Sequence, residues 1–484
     1  MLSYHPGSLP VTTRKGMKEI MRLRSPRVCL VVLFGLLFTL SALNVAAAPA
    51  NKVREYALDN GLRILVLEDH RAPVVVSQVW YRVGSSYESN GTTGVSHVLE
   101  HMMFKGTKTL GPNEFSQIIS ANGGRENAFT GREYTAYFQR MHKDRLEISF
   151  KLEADRMRNL SLPPGEFAKE VQVVMEERRL RTEDKPTALT YEQFNAAAFQ
   201  TSPYQHPVIG WMADLKSLTI NDLREWYIKW YTPANATLVV VGDVEADKVY
   251  RLAKQHFGPL EGPAAAKVKP RPEVKQLGER RIKVKVPAEV PYLLMGYKVP
   301  VLKTAADPAE AYALEMLAAV LDGGSSARLA RELVRGRQIA VSAGAGYGLY
   351  DRINSLFLFD GTPSTGHSVE ELEAAIHEQI QRVQSEPVEE AELERIKAQV
   401  VAAKVYERDS VFYQAMQIGT LVTVGLDYQQ LDEYVDHIRA VTPAQIQAVA
   451  QKYLVNETLT VATLEPQNAQ AKRDQQAAVM GDKQ

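Results

Sequence analysis

Two stretches of the chain echo each other about 220 residues apart, and a repeat of that period sets the number of domains. Residues 218–241 read LTINDLREWYIKWYTPANATLVVV, and residues 441–462 read VTPAQIQAVAQKYLVNETLTVA. Each predicts a helix begun by a threonine cap, then a Tyr, an Asn-containing turn and an apolar strand. Pro73 ahead of the apolar run Val74–Val83 is matched by Pro291 ahead of Tyr292, Leu293 and Leu294. A duplicated domain leaves this kind of self-similarity, and 484 residues are enough for two cores. Helical patterns alternate with short strands such as Gly61–Glu68, so each half is expected to be an α/β unit of an α+β chain. The N-terminal domain falls at 54–260, a proline-rich charged linker at 261–278, the C-terminal domain at 279–466 and a polar tail at 467–484.

Ahead of the first half, Arg14, Lys15, Lys18, Arg22, Arg24 and Arg27 precede an apolar run from Val28 to Leu43, followed by Ala46, Ala47 and Ala48. This order predicts an export signal over residues 1–47. The apolar run is short for a membrane span, and an uncleaved signal anchor is the alternative. The expected location is the periplasm of a Gram-negative bacterium, with an inner-membrane tether only if the anchor stays. Without residues 1–47, 57 basic and 57 acidic residues become 51 and 56. No basic stripe remains to neutralise phosphates, which argues against nucleic acid as a partner. The one cysteine, Cys29, lies in the expected signal, so a metal site must use His and carboxylates.

The segment GVSHVLEHMMFKGT, residues 94–107, sets His97 and His101 four apart on one face of a predicted helix. Two imidazoles so placed can share one metal ion. Glu100 stands beside His101 and one turn from His97, close to the metal without having to ligate it; this is the inverted H-x-x-E-H zincin pattern. Val95, Val98, Leu99, Met102 and Met103 supply the packing that would hold the helix. A catalytic zinc takes three protein ligands, so a third is expected on another element. In EFAKEVQVVMEERRLRTEDKP, residues 166–186, a long helical pattern ended by Pro186, Glu170 and Glu177 share the stripe of Val173 and Val174. On pattern alone these carboxylates read either as members of a site or as charged edges of a surface helix.

The sequence resembles the pitrilysin, or insulinase-like, metallopeptidases, specifically the bacterial branch similar to mitochondrial processing peptidase, from about residue 54 to 466. In that family a ligand Glu follows the second His of H-x-x-E-H by 76 residues, which lands on His97, Glu100, His101 and Glu177. A further acidic residue seven positions before that Glu lands on Glu170. GGRENAFTGREYTAYF, residues 123–138, matches the family's strand at the cleft edge. The resemblance implies two homologous α/β-sandwich-like halves, each a mostly antiparallel sheet covered by helices, around a substrate cleft. It implies one Zn2+ per chain on His97, His101 and Glu177, Glu100 as catalytic base and acid, Glu170 in support, and Asn127, Ala128 and Phe129 pairing with substrate backbone. The implied activity is zinc-dependent hydrolysis of unfolded peptides or small polypeptides.

The chain also departs from the family. The second half's counterpart of the metal motif, AYALEMLAAVLDGG at residues 311–324, has no histidine. Self-sufficient family members carry an Arg, and seven residues later a Tyr, that contact substrate and oxyanion. In GGSSARLARELVRGRQIAVSAG, residues 323–344, these positions fall on Val334 and Val341, whose side chains cannot donate a hydrogen bond. Arg335 and Tyr347 or Tyr350 are the candidate substitutes within the chain. The expected partner is a related subunit carrying the Arg/Tyr pair, or a second copy of this chain. The alternative is a zinc-binding but poorly active peptide-binding or scaffold subunit of a heteromeric complex.

Overall fold

The computed structural model describes residues 52–467; the expected export signal, and all but the first residue of the expected tail, lie outside the described residues. The first half opens with strands β1 (Arg54–Ala57), β2 (Arg63–Glu68) and β3 (Val74–Tyr81), helices α1 (Val95–Met102) and α2 (Glu114–Ala121), and the hairpin of β4 (Arg125–Thr130) and β5 (Thr135–His142). Helices α3 (Leu146–Asn159), α4 (Pro164–Arg178), α5 (Pro186–Ala198), α6 (Met212–Ser217) and α7 (Ile220–Trp230) lead to β6 (Ala236–Gly242) and α8 (Ala246–Phe257). The second half runs β7 (Arg280–Pro287), β8 (Tyr292–Val299), α9 (Pro308–Asp322), β9 (Ala340–Gly346) and β10 (Ser355–Pro363). It ends with α10 (Val369–Ser385), α11 (Glu390–Glu407), α12 (Val411–Val424), α13 (Gln430–Ala440), α14 (Pro443–Tyr453) and β11 (Leu459–Gln467). No described helix is long and apolar enough to cross a membrane.

The strands form two sheets, ordered β1-β2-β6-β3-β5-β4 and β7-β11-β8-β10-β9. In the first, β6 lies parallel to β2, with Val240 opposite Val66, and antiparallel to β3, with Val241 opposite Val76. In the second, β11 lies parallel to β7 and antiparallel to β8, with Val461 opposite Met295. Each sheet is therefore mixed, because its last strand returns to the centre between two earlier ones. The echoing segments occupy equivalent places. Helices α7 and α14 both open on a reciprocal capping box, Thr219 with Asp222 and Thr442 with Gln445, and both feed that central strand.

Strand alternation splits each sheet's apolar residues between two faces. On one face of the first sheet, Ile64, Val66 and Val79 pack with Val98 and Leu99 of α1, Phe150 of α3 and Val174 of α4. The other face, Leu65, Leu67, Val76, Trp80 and Val239, is covered by Ala415, Ile418 and Val422 of α12, a helix from the second half. The exchange is mutual: Phe194 and Ala198 of α5 cover Leu294, Leu356 and Ala462 of the second sheet. Each half thus lends a helix to its neighbour, and burial of these faces locks the halves together. Between them, Glu273 accepts the backbone N–H groups of Gln200, Thr201 and Ser202 at 2.9–3.1 Å and pairs with Lys298 at 2.6 Å. These partners outweigh burial and hold the Glu273 carboxyl down at about 2.

The helical pattern over 166–186 divides. Helix α4 ends at Arg178, residues 179–183 wind into a wider π turn, and Pro186 starts α5 rather than stopping α4. Proline suits the first turn of a helix, where its missing N–H would have no partner in any case.

Candidate metal centre and substrate cleft

Helix α1 carries the motif, and its placement begins outside it. Gly94, its N-cap, offers no side-chain cap. Fully buried Glu88 takes that role, accepting the N–H groups of Gly94 at 2.7 Å and Ser96 at 2.8 Å. Burial pushes the Glu88 carboxyl up to about 7, against the pull of those bonds. Gly94 has φ +88°, and a Cβ there would lie 2.7 Å from the Ile209 carbonyl oxygen, so only glycine lets the loop around Ile209 cross the helix start.

Val95, Val98, Leu99, Met102 and Met103 are buried, which leaves His97, Glu100 and His101 facing a cavity of about 670 Å3. One ligand atom from each of His97, His101 and Glu177 lies within 4.8 Å of the others. Glu177 Oε2 is 3.5 Å from His101 Nε2 and 3.8 Å from His97 Nε2. His101 Nδ1 sits 3.1 Å from Glu170 Oε2, and Glu170 Oε1 also pairs with Lys105 at 2.8 Å. That contact places the imidazole proton on Nδ1 and leaves the Nε2 lone pair for the cluster. On α4 the inward face is Glu170, Val174 and Glu177; Val173, placed on the same stripe by the sequence, is 47% exposed at its edge.

Burial and the neighbouring His101 push His97 down to about 4, so it is a neutral imidazole at pH 7. Burial works against charge on His101 as well, but Glu177 and Glu170 outweigh it and raise the group. The neighbouring His101 ring lowers Glu177. Two imidazole nitrogens and a carboxylate oxygen, converging beside an open cavity, form a donor set that could hold zinc and keep a position for water.

Glu100 accepts a short hydrogen bond from Thr130 Oγ1, and burial raises its carboxyl against that bond. Thr130 ends β4, an edge strand that pairs only with β5 among the described residues. Asn127, Ala128 and Phe129 line the same cavity as the cluster. Further lining comes from α5 and residues 205–209. Sequence reading does not single out Thr130 or Glu88. Thr130 has a signal in directly following Asn127–Phe129; Glu88 has none, since its role depends on where the chain returns.

All the residues lining the cavity belong to the first half. Val334 packs against the second half's core and Val341 is 65% exposed. The substitutes considered within the chain do not reach the site. Arg335, Tyr347 and Tyr350 are absent from the lining, Tyr347 donates to the Pro300 carbonyl at 2.8 Å, and the Tyr350 hydroxyl is buried in the second half.

Residues 63–210 match the family described as Insulinase (Peptidase family M16), and residues 217–400 match the Peptidase M16 inactive domain. The zinc protease PqqE of Helicobacter pylori is 32% identical over 437 residues, covering 89% of this chain and 97% of that protein. The chain belongs to peptidase family M16. It carries the inverted H-x-x-E-H motif of the family's zinc proteases in its first half, with His97, His101 and Glu177 clustered. A crystal structure of a protease from Helicobacter pylori superposes on this M16 chain with a TM-score of 0.81 at 31% identity, covering 86% of this chain and 100% of that one. A chain of complex III2 from Candida albicans shares the fold, with a TM-score of 0.73 at 17% identity over 85% of this chain and 96% of that one.

Proposed function

We propose that this chain is a zinc endopeptidase that hydrolyses unfolded peptides laid along β4. One observation carries the reading: three ligand atoms converge within 4.8 Å in the wall of a cavity bordered by a strand edge that is unpaired among the described residues. His97, His101 and Glu177 would hold the zinc, which would supply Lewis-acid polarisation of water and of the scissile carbonyl. Glu100 takes the proton of the attacking water and delivers it to the leaving amine. Thr130 holds that carboxylate beside the strand, and Glu170 orients His101. Asn127, Ala128 and Phe129 pair with the substrate backbone, and recognition by strand addition favours unfolded peptides with loose sequence preference.

The lining offers no second-half donor for the oxyanion, and loss of one such donor costs on the order of a hundredfold to a thousandfold in rate. The same reading therefore includes a related subunit, or a second copy, that brings an Arg/Tyr pair to the cleft. Val334 and Val341 also support a second reading, in which the chain holds zinc and peptide but turns over slowly as part of a complex. The basic stretch and apolar run expected to form an export signal over residues 1–47 support export to the periplasm.

The test measures zinc content and cleavage of an unstructured peptide by the chain, alone and with a candidate partner, beside Glu100→Gln. One zinc per chain, cleavage stimulated by the partner and its loss in the variant are expected. Retained cleavage by Glu100→Gln would sink the mechanism, and equal rates with and without the partner would sink the two-subunit site.

A further inference from the structure

Arg132 stands two residues past Thr130, in the turn between β4 and β5, and lines the same cavity as the metal cluster. Its backbone is fixed. Gly131 N–H bonds the Tyr134 carbonyl at 2.8 Å, Ser86 N–H bonds the Arg132 carbonyl at 2.9 Å, and the next residue, buried Glu133, is held by Arg352 and Ser86. The guanidinium lies over the Tyr204 ring, 4.8 Å from its centroid, and one nitrogen approaches Asn195 Oδ1 at 3.3 Å and the Tyr191 hydroxyl at 3.5 Å. Both contacts are long and both partners neutral.

Three other arginines near the cleft are each spent on a carboxylate: Arg178 on both oxygens of Glu192 at 2.7 and 2.8 Å, Arg181 on Glu177 and Arg352 on Glu133. Arg132 has no carboxylate within 4 Å among the described residues. Asp351 is close enough to feel its charge, but burial pushes that carboxyl up toward its neutral form. A guanidinium offers five donors in a planar fork suited to a carboxylate. Its contacts with Asn195 and Tyr191 both use one guanidinium nitrogen, so the other two keep donors for the cleft, whose lining includes the rings of Phe129 and Tyr191.

On the reading of the cleft as a peptidase site, we infer that Arg132 is a specificity residue that receives a carboxylate of the bound peptide, from an Asp or Glu side chain or from the chain terminus. Arg132 lies two residues past Thr130, which bonds Glu100, so the carboxylate belongs within about three positions of the cleaved bond. The charged, bidentate contact selects acidic over isosteric neutral peptides.

The experiment uses unstructured peptides in which one Glu is walked through a neutral sequence, each beside its Gln twin, with free and amidated C-termini. The readout is the ratio of kcat/KM within each twin pair, which cancels any general loss of activity in a variant. The wild-type chain is expected to favour Glu at one position by about tenfold. That ratio should approach parity in Arg132→Gln, persist in part in Arg132→Lys, and turn in favour of a Lys-bearing peptide in Arg132→Glu. A preference that follows the free terminus instead assigns the subsite to the terminal carboxylate. Absence of any wild-type preference, or its survival in Arg132→Gln, overturns the inference. If the chain cleaves nothing, alone or with its partner, the peptidase reading fails by itself. Fluorescence anisotropy of labelled twins on Glu100→Gln then reports the same ratio as binding and decides the role of Arg132 separately.

Discussion

His101 faces two carboxylates at once, with Nδ1 3.1 Å from Glu170 Oε2 and Nε2 3.5 Å from Glu177 Oε2. The first contact sets the tautomer that lets the second nitrogen ligate, so the two are linked through one ring. Glu170→Gln keeps an acceptor but removes the charge that His101 and Lys105 share. Zinc affinity is expected to fall by about tenfold to a hundredfold. Competition with a chromogenic chelator measures this without reference to activity, and an unchanged affinity would remove Glu170 from the site.

Glu88 gives the fold a pH dependence of known sign. Its carboxyl is raised from 4.5 to about 7, so the native state keeps a proton that the unfolded chain releases. The contribution is complete below about pH 4.5 and is lost as pH rises through about 7. Glu88→Gln carries no proton to release. Urea unfolding across this range should therefore show the wild type losing about 3 kcal/mol relative to the variant. Parallel pH curves for the two proteins would show that Glu88 does not hold its proton in the native state.

The lent helix α12 meets the first sheet at a point with no spare room. A Cβ on Gly419 would lie 2.0 Å from Cε2 of the buried Trp80. In an ordinary helix interior, Gly→Ala gains about 1 kcal/mol. Here Gly419→Ala is expected to lose about 1–3 kcal/mol, because either the indole or the helix must shift. Trp80 also packs edge-on against Phe129 of β4, so a displaced indole would reach the peptide edge. A thermal midpoint equal to or above the wild type's would refute the close packing.

What was legible in the sequence is what has a local period or a fixed spacing. The 218–241 and 441–462 echo located both capping boxes and both central strands, and the i, i+4 spacing put His97 and His101 on one face. Residue pattern left Glu177 undecided, and the resemblance at 76 residues' distance singled it out. Finer local detail was lost where neighbouring residues look alike: Val173 and Val174 differ by one position, yet only Val174 is buried. Helix exchange was invisible, because an apolar stripe such as that of Phe194 and Ala198 does not say which sheet it will cover. Charges inside the fold also escaped. Arg156, which no motif or spacing singles out, is fully buried with Glu153, its guanidinium against the rings of Phe104, Phe115 and Tyr137.

The ion pair of Arg352 with Glu133 escapes for the same reason, since its members are 219 residues apart. It joins the second half to the turn that carries Arg132. Glu133 is 3% exposed, Ser86 Oγ donates to it at 3.1 Å, and the Arg352 guanidinium also lies 4.6 Å from the centre of the Tyr87 ring. Arg352→Met removes the countercharge of a buried carboxylate, and the expected loss is about 3–5 kcal/mol. Adding Glu133→Met removes the stranded charge, so the double variant should recover much of that loss. The double-mutant cycle read by urea unfolding isolates this coupling, and strictly additive effects would show that the pair does not act as one unit. Because the bridge fixes the β4–β5 turn and touches none of the cluster, Arg352→Met should raise KM for peptides while zinc affinity stays unchanged. A parallel loss of zinc would mean that the second half supports the metal centre itself and not only the strand beside it.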